Sequence, residues 1–124
     1  MAEKNPIAVE IPAGTPQFRL HMFENRGFKP GGDEWIVTQD GWQTPTPPND
    51  EITAFKLSGS PGIHVELFND KVPNHQKTWG EATLSAAVTS VDVPNLRNSV
   101  SVYVHHKAPH DDNLDGKVSL VVIR

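Results

Sequence analysis

Two short segments of the chain carry oxygen-bearing side chains at matching positions. One is Asn49-Asp50-Glu51-Ile52-Thr53 and the other is Arg97-Asn98-Ser99-Val100-Ser101, so each ends in a hydroxyl that follows an aliphatic residue. Ca²⁺ takes six to eight oxygen ligands, which include carboxylates, amides and backbone carbonyls. Two such loops together can offer these oxygens to one Ca²⁺ ion. The same residue types also suit simple turns in which these side chains bond the local backbone, and the sequence leaves both interpretations open.

A second set of candidate ligands lies near the C-terminus: His105, His106, His110, Asp111 and Asp112. Imidazole and carboxylate groups suit Zn²⁺ or Cu²⁺. Neighbouring strand residues point to opposite faces, however, so a solvent-exposed loop explains this cluster more simply. The chain has no Gly-x-Ser-x-Gly, His-Glu-x-x-His or phosphate-binding Gly-x-x-x-x-Gly-Lys motif, which predicts that it is not an enzyme.

Composition excludes several further classes of protein. The 124 residues carry a formal net charge of −4 and include no cysteine, which excludes disulfide scaffolds and thiolate chemistry and favours a reducing, cytoplasmic location. No apolar run reaches the roughly 20 residues of a membrane helix. No basic run is present to neutralise phosphates, so we expect neither a nucleic-acid partner nor a membrane partner.

Short stretches with period-two hydrophobicity predict an all-β protein. The clearest are Gln17–Phe23, with Phe18, Leu20 and Met22 facing inward, and Ile63–Leu67, in which His64 faces outward. The other expected strands are 7–10, 34–38, 52–57, 82–88, 100–105 and 118–123. The proline-rich stretch 41–48 is expected to be an ordered connection within one domain.

The two halves of the chain resemble each other. Leu20–Asn25 aligns with Val65–Asp70, and Asn49–Thr53 aligns with Arg97–Ser101 at nearly the same offset. One unit of about four strands therefore occurs twice. A single unit cannot cover its own apolar face, so we expect the two units to pack as a β-sandwich.

Residues 17–105 resemble a microbial βγ-crystallin domain. The first unit has the family's opening motif in Phe23-Glu24-Asn25, a second aromatic in Phe28 and a turn glycine in Gly31 or Gly32. The resemblance implies two Greek keys, at about 17–60 and 61–105, with extra terminal strands in 1–16 and 106–124. The second unit departs from the pattern because its opening turn lacks a glycine.

The resemblance also implies two interlocked calcium sites. The first would use the carbonyl of Glu51, the hydroxyl of Thr53 and the side chain of Asn98, with a strand-opening carbonyl near Glu24 or Asn69. The second would use the carbonyl of Ser99, the hydroxyl of Ser101 and the carboxylate of Asp50. Because the ligands are mostly neutral, we expect a dissociation constant of about 10⁻⁵ to 10⁻³ M and one site to be silent.

The position of the second motif stays open. If the apolar segment 118–123 is the last strand of the second key, rather than an added edge strand beside 7–10, the motif becomes Asp115-Gly116-Lys117-Val118-Ser119. Glycine at its second position would then supply no side-chain ligand.

The resulting expectation is a monomeric, non-enzymatic structural, storage or stress-related protein that binds Ca²⁺. An inhibitor or toxin-like interaction protein without functional calcium binding is the alternative. A carbohydrate-binding module would require at least two of Trp35, Trp42 and Trp79 to form an exposed platform.

Overall fold

The protein is all-β over the described part of the chain. The computed structural model describes residues 5–69, 78–96, 105–106 and 116–124, with 78–82 and 105–106 described by their backbone alone. These residues form ten strands and one 3₁₀ turn at Arg26–Phe28. The strands are β1 (Ala8–Glu10), β2 (Phe18–Phe23), β3 (Glu34–Thr38), β4 (Gly41–Trp42), β5 (Ala54–Gly59), β6 (His64–Phe68), β7 (Thr78–Thr83), β8 (Ser90–Val93), β9 (His105–His106) and β10 (Leu120–Ile123).

The strands form two five-stranded sheets. Sheet A has the order β4-β3-β2-β5-β8, and sheet B has the order β1-β10-β6-β7-β9. All neighbours are antiparallel except β1 and β10, which pair in parallel. No helix among the described residues is long and apolar enough to cross a membrane.

The inner faces of the two sheets share one hydrophobic core, as a β-sandwich requires. Leu20 and Met22 of sheet A belong to the same buried cluster as Val65 and Leu67 of sheet B. The alternating pattern that predicted these faces is confirmed, because Arg19 between Phe18 and Leu20 is exposed. Full burial of one such aliphatic side chain contributes about 1.5–3 kcal/mol, so this shared layer holds the sheets together.

Several strands differ from the sequence-based expectation. Glu34–Thr38 is confirmed, whereas the strand expected at 82–88 is wrong because β7 ends at Thr83 and residues 86–87 form a turn. Strand β8 was not predicted, since its only apolar residues are Val91 and Val93. Of the strand expected at 100–105, only His105 lies within the described residues.

The two halves of the chain contribute equivalent sets of strands to the two sheets. In sheet A, β2 pairs with β3 on one side and with β5 on the other. In sheet B, β6 pairs with β7 and with β10 in the same way. Strand β10 also pairs with β1, so both partners considered for segment 118–123 are present. Strand β8 follows β7 in the chain but pairs with β5 in the opposite sheet.

Candidate functional site

The loop before β5 is held against the loop before β10 by a reciprocal pair of backbone hydrogen bonds. The Asp50 N–H donates to the carbonyl of Val118 at 3.1 Å, and the Gly116 N–H donates to the carbonyl of Ile52 at 3.0 Å. Asp50 has φ 66° and Gly116 has φ 68°, so both donors adopt the left-handed conformation. Ile52 and Val118 are fully buried beneath the loops. We call residues 49–53 and 116–119 the paired loops.

Strand register shows that the paired loops are equivalent. Phe23 pairs with Ala54 in sheet A, and Phe68 pairs with Leu120 in sheet B. One residue earlier, the Thr53 N–H donates to the carbonyl of Phe23 at 3.0 Å and the Ser119 N–H donates to that of Phe68 at 2.8 Å. Thr53 therefore corresponds to Ser119, and by the same count Asp50 corresponds to Gly116.

This correspondence favours residues 115–119 over residues 97–101 as the second motif. Segment 116–119 precedes the strand that pairs with β6, just as 50–53 precedes the strand that pairs with β2. The expected ligands Asn98, Ser99 and Ser101 lie outside the described residues.

Two expected ligands of the first site do meet. The Thr53 hydroxyl donates to the backbone carbonyl of Glu24 at 2.7 Å in a partly buried position. Glu24 directly follows β2, and its carboxylate accepts a hydrogen bond from the Asp33 backbone at 3.0 Å. That bond holds the Glu24 side chain in its own loop. The oxygen of Glu24 that lies beside the Thr53 hydroxyl is therefore its backbone carbonyl and not its carboxylate. Asn69 follows β6 in the equivalent place.

The equivalent positions 50 and 116 of the paired loops differ in charge. Asp50 is exposed and supplies a carboxylate, whereas Gly116 at the equivalent position supplies no side chain. A methyl group at Gly116 would lie 3.7 Å from its nearest described neighbour, the Asp50 carbonyl oxygen, so a side chain there is opposed by the positive φ and not by a clash of its Cβ atom. Among the described residues no cluster of three or more His, Asp or Glu side chains could hold a metal ion. A cation at the paired loops would therefore depend on hydroxyl and carbonyl oxygens as well as Asp50.

The opening turn of the first unit is compact. The rings of Phe23 and Phe28 lie 5.1 Å apart, and the Lys56 ammonium sits 4.5 Å from the centre of the Phe28 ring. Gly31 has φ 101°, and a methyl group at Gly32 would come within 2.8 Å of the Asn25 side chain. Both glycines expected at this turn thus have a steric reason to be glycine.

The histidines of β2 and β6 and two of the three tryptophans have structural roles. His21 bonds Glu34 at 2.8 Å and stacks on Phe23, while His64 bonds Thr83 at 3.1 Å. Trp35 is buried and Trp42 packs against the core, so these two rings do not form an exposed platform. His110, Asp111 and Asp112 lie outside the described residues.

Sequence reasoning missed the reciprocal bonding of the paired loops and ranked 115–119 behind 97–101. The available signal was the left-handed preference of Gly and Asp at equivalent positions, which marks two similar turns. It also missed a cavity on the outer face of sheet A.

Comparison with known proteins finds no match among protein families, curated proteins or solved structures.

Proposed function

We propose that the protein is a monomeric, non-enzymatic Ca²⁺-binding protein of the cytoplasm, built like the βγ-crystallins from two interlocked Greek keys, with a structural or stress-related role. The observation that carries the proposal is the reciprocal bonding of Asp50 with Val118 and of Gly116 with Ile52. It joins two equivalent loops from the two halves of the chain, which together contain the Asp50 carboxylate, the hydroxyls of Thr53 and Ser119 and several backbone carbonyls. The return of β5 to lie beside β2, after the connection 43–53, supports the Greek-key assignment, because such a key returns one strand by a long connection.

One calcium site is active in this proposal. Its ligands are the Asp50 carboxylate, the Ser119 hydroxyl and the backbone carbonyls of Lys117 and Asn69, which are the register equivalents of the expected set. The other position has the carbonyls of Glu51 and Glu24 and the hydroxyl of Thr53, where the Thr53 hydroxyl already donates to the Glu24 carbonyl. It carries no formal charge because Gly116 stands opposite, and we assign it as silent. Affinity for Ca²⁺ depends on the number of charged ligands, so a single carboxylate fits weak binding.

Isothermal titration of EDTA-stripped protein with CaCl₂ tests the proposal. We expect one Ca²⁺ per chain with a dissociation constant of about 10⁻⁵ to 10⁻³ M. Asp50→Asn removes the charge and retains a residue that tolerates the left-handed conformation, so it should abolish the binding heat while the protein stays folded. Thr53→Val alters the silent position and should leave the heat unchanged.

Two outcomes would reject this assignment. If Asp50→Asn binds Ca²⁺ like the parent protein, the site lies elsewhere. If the parent protein gives no heat and Ca²⁺ leaves its melting temperature unmoved, the paired loops are structural turns, and the inhibitor-like alternative becomes the one to test.

A further inference from the structure

A cavity of about 760 Å³ opens on the outer face of sheet A. It lies at the Phe18 and Gly59 ends of β2 and β5, whereas the paired loops lie at the Phe23 and Ala54 ends. The volume is within the roughly 300–1,000 Å³ of small-molecule sites. The cavity is therefore separate from the candidate calcium site.

Short side chains on both sides of one long side chain create the cavity. Arg19 pairs with Thr38 on β3 and with Ser58 on β5, so the three residues form one row across the sheet. The polar rim of the cavity beside this row consists of Gln39 and Asp40, in the turn between β3 and β4, and of Gln43, just after β4. Arg19 thus stands between two small hydroxyl residues on the outer face of the sheet.

Among the described residues that line the cavity, Arg19 is the one cation and Asp40 is the one anion. Within the described part of the chain, no hydrogen bond or ion pair engages the Arg19 guanidinium. The planar guanidinium presents its donors in a fork that matches a carboxylate. Arg19 is exposed, so it reaches a ligand without breaking an existing ion pair.

The rim supplies further donors and acceptors at fixed positions. Gln39 uses Oε1 to accept the Phe18 N–H at 3.3 Å, so its amide N–H groups remain as donors. Gln43 uses Nε2 to donate to the Thr38 hydroxyl at 3.4 Å and to the Gly41 carbonyl at 3.2 Å, so its Oε1 remains as an acceptor. These groups and the Asp40 carboxylate suit the hydroxyl groups of a sugar. Half-buried Ile36 adds an apolar patch for its C–H groups.

We infer that this cavity binds an acidic sugar, with the sugar carboxylate on Arg19 and the hydroxyls on Asp40 and the two glutamines. A multiply charged inorganic anion would face the Asp40 carboxylate, whereas a neutral sugar would leave the guanidinium without a partner. The ligand class therefore combines a single carboxylate with several hydroxyl groups. This site does not depend on the tryptophans, and it is independent of the proposed calcium function.

The probe is galacturonate, titrated into ¹⁵N-labelled protein and followed by NMR. We expect saturable shifts in the backbone amides of Thr38, Asp40 and Ser60 at millimolar ligand. Galactose lacks the carboxylate and acetate lacks the hydroxyl groups. Each should therefore bind at least tenfold more weakly than galacturonate. Addition of CaCl₂ should leave the galacturonate affinity unchanged, because the two sites lie at opposite ends of sheet A.

Arg19→Gln should reduce galacturonate affinity at least tenfold, to the level of galactose. Lys56→Gln is the matched control, because it removes one positive charge from the neighbouring row on the same face of sheet A, where Lys56 pairs with His21. It should retain the parent affinity. Circular dichroism checks that both variants are folded.

The inference is overturned if galacturonate gives no saturable shifts at these amides. It is also overturned if acetate binds equally well, which would indicate only a general anion site, or if Arg19→Gln binds like the parent. Success or failure here leaves the calcium titration unaffected, so the two proposals are separately testable.

Discussion

Asp50 and Gly116 adopt the same left-handed backbone conformation at equivalent places in the paired loops. Asp tolerates this conformation better than most residues with a side chain, and glycine adopts it freely. The residue type at each position therefore satisfies the turn in both cases. Only Asp50 adds a carboxylate, so the asymmetry of the proposed calcium site arises from this single difference.

Gly116→Asp should create a second calcium site. The Cβ atom of the new residue would lie 3.7 Å from the Asp50 carbonyl oxygen, its nearest described neighbour, and the carboxylate would supply the charge that the silent position lacks. Titration calorimetry should then show two Ca²⁺ per chain instead of one. Gly116→Ala is the control, and we expect it to lose about 1–2 kcal/mol of stability from left-handed strain without a second binding event. A stoichiometry of one in Gly116→Asp would contradict the assignment of the silent position.

Gly59 shows how a single residue shapes the end of sheet A where the cavity above Arg19 lies. Its φ is 147°, and a methyl group there would lie 2.5 Å from the Gln17 carbonyl oxygen and 2.6 Å from the Phe18 Cα. The next residue, Ser60, donates its N–H to that same Gln17 carbonyl at 2.9 Å. The close approach of the two backbones thus requires glycine.

Gly59→Ala should destabilise the fold by more than the roughly 1–3 kcal/mol of backbone strain alone, because the clash involves rigid main-chain atoms. Gly41→Ala is the matched control, since Gly41 also has a positive φ of 107° but has nothing within 4 Å of the added methyl group. Urea denaturation of both variants measures the difference. Equal destabilisation would show that the approach to Gln17 relaxes at little cost.

At the scale of the element, the Thr53 hydroxyl joins the start of β5 to the end of β2. Its 2.7 Å hydrogen bond to the Glu24 carbonyl fixes the loop beside the strand, in addition to the ladder bonds between the two strands. The equivalent residue before β10, Ser119, is buried. The Thr53 hydroxyl therefore has a structural role apart from any cation.

Thr53→Val should cost about 1–2 kcal/mol of stability, because the shape is retained while the partly buried Glu24 carbonyl loses its donor. Urea denaturation measures this loss. Thr15→Val is the control, since the Thr15 hydroxyl bonds the Pro12 carbonyl in an exposed position, and its loss should stay within about 0.5 kcal/mol. Equal losses in the two variants would argue against a structural role for the Thr53 bond.

The elements also show where sequence reasoning succeeds and fails. Strands such as β2 and β3 have strongly alternating side chains, and their faces follow from that pattern alone. Strand β8 has only two buried residues, Val91 and Val93, and it forms a strand because it pairs with β5 at the edge of sheet A. Such a segment has too little local pattern to be recognised without its partner.

At the scale of the whole molecule, the proposed calcium binding at the paired loops would add to global stability. They link residues from both halves of the chain, so a ligand that binds them favours the folded state over the unfolded state. At a free Ca²⁺ concentration one hundred times the dissociation constant, the free energy of unfolding should rise by about 2.7 kcal/mol.

Thermal unfolding with and without CaCl₂ measures this effect. The parent protein should melt at a higher temperature in Ca²⁺, and Asp50→Asn should melt at the same temperature in both buffers. Mg²⁺ is the control ion, because it demands a near-ideal octahedral geometry at shorter distances and should stabilise the protein less. Equal stabilisation by the two ions, or by Ca²⁺ in both proteins, would indicate a general charge effect.

The sequence by itself determined which residues of the alternating strands face the core, where the first turn needs glycine and that residues 49–53 are rich in side-chain oxygens. These properties depend on the alternation of side chains along a strand and on steric limits at single residues, which are local. The tertiary structure decided which segment lies opposite Asn49–Thr53, and it formed the cavity above Arg19. Both depend on which strands pair across the sheets, and that choice is set by the shared core and by hydrogen bonds between residues far apart in the chain.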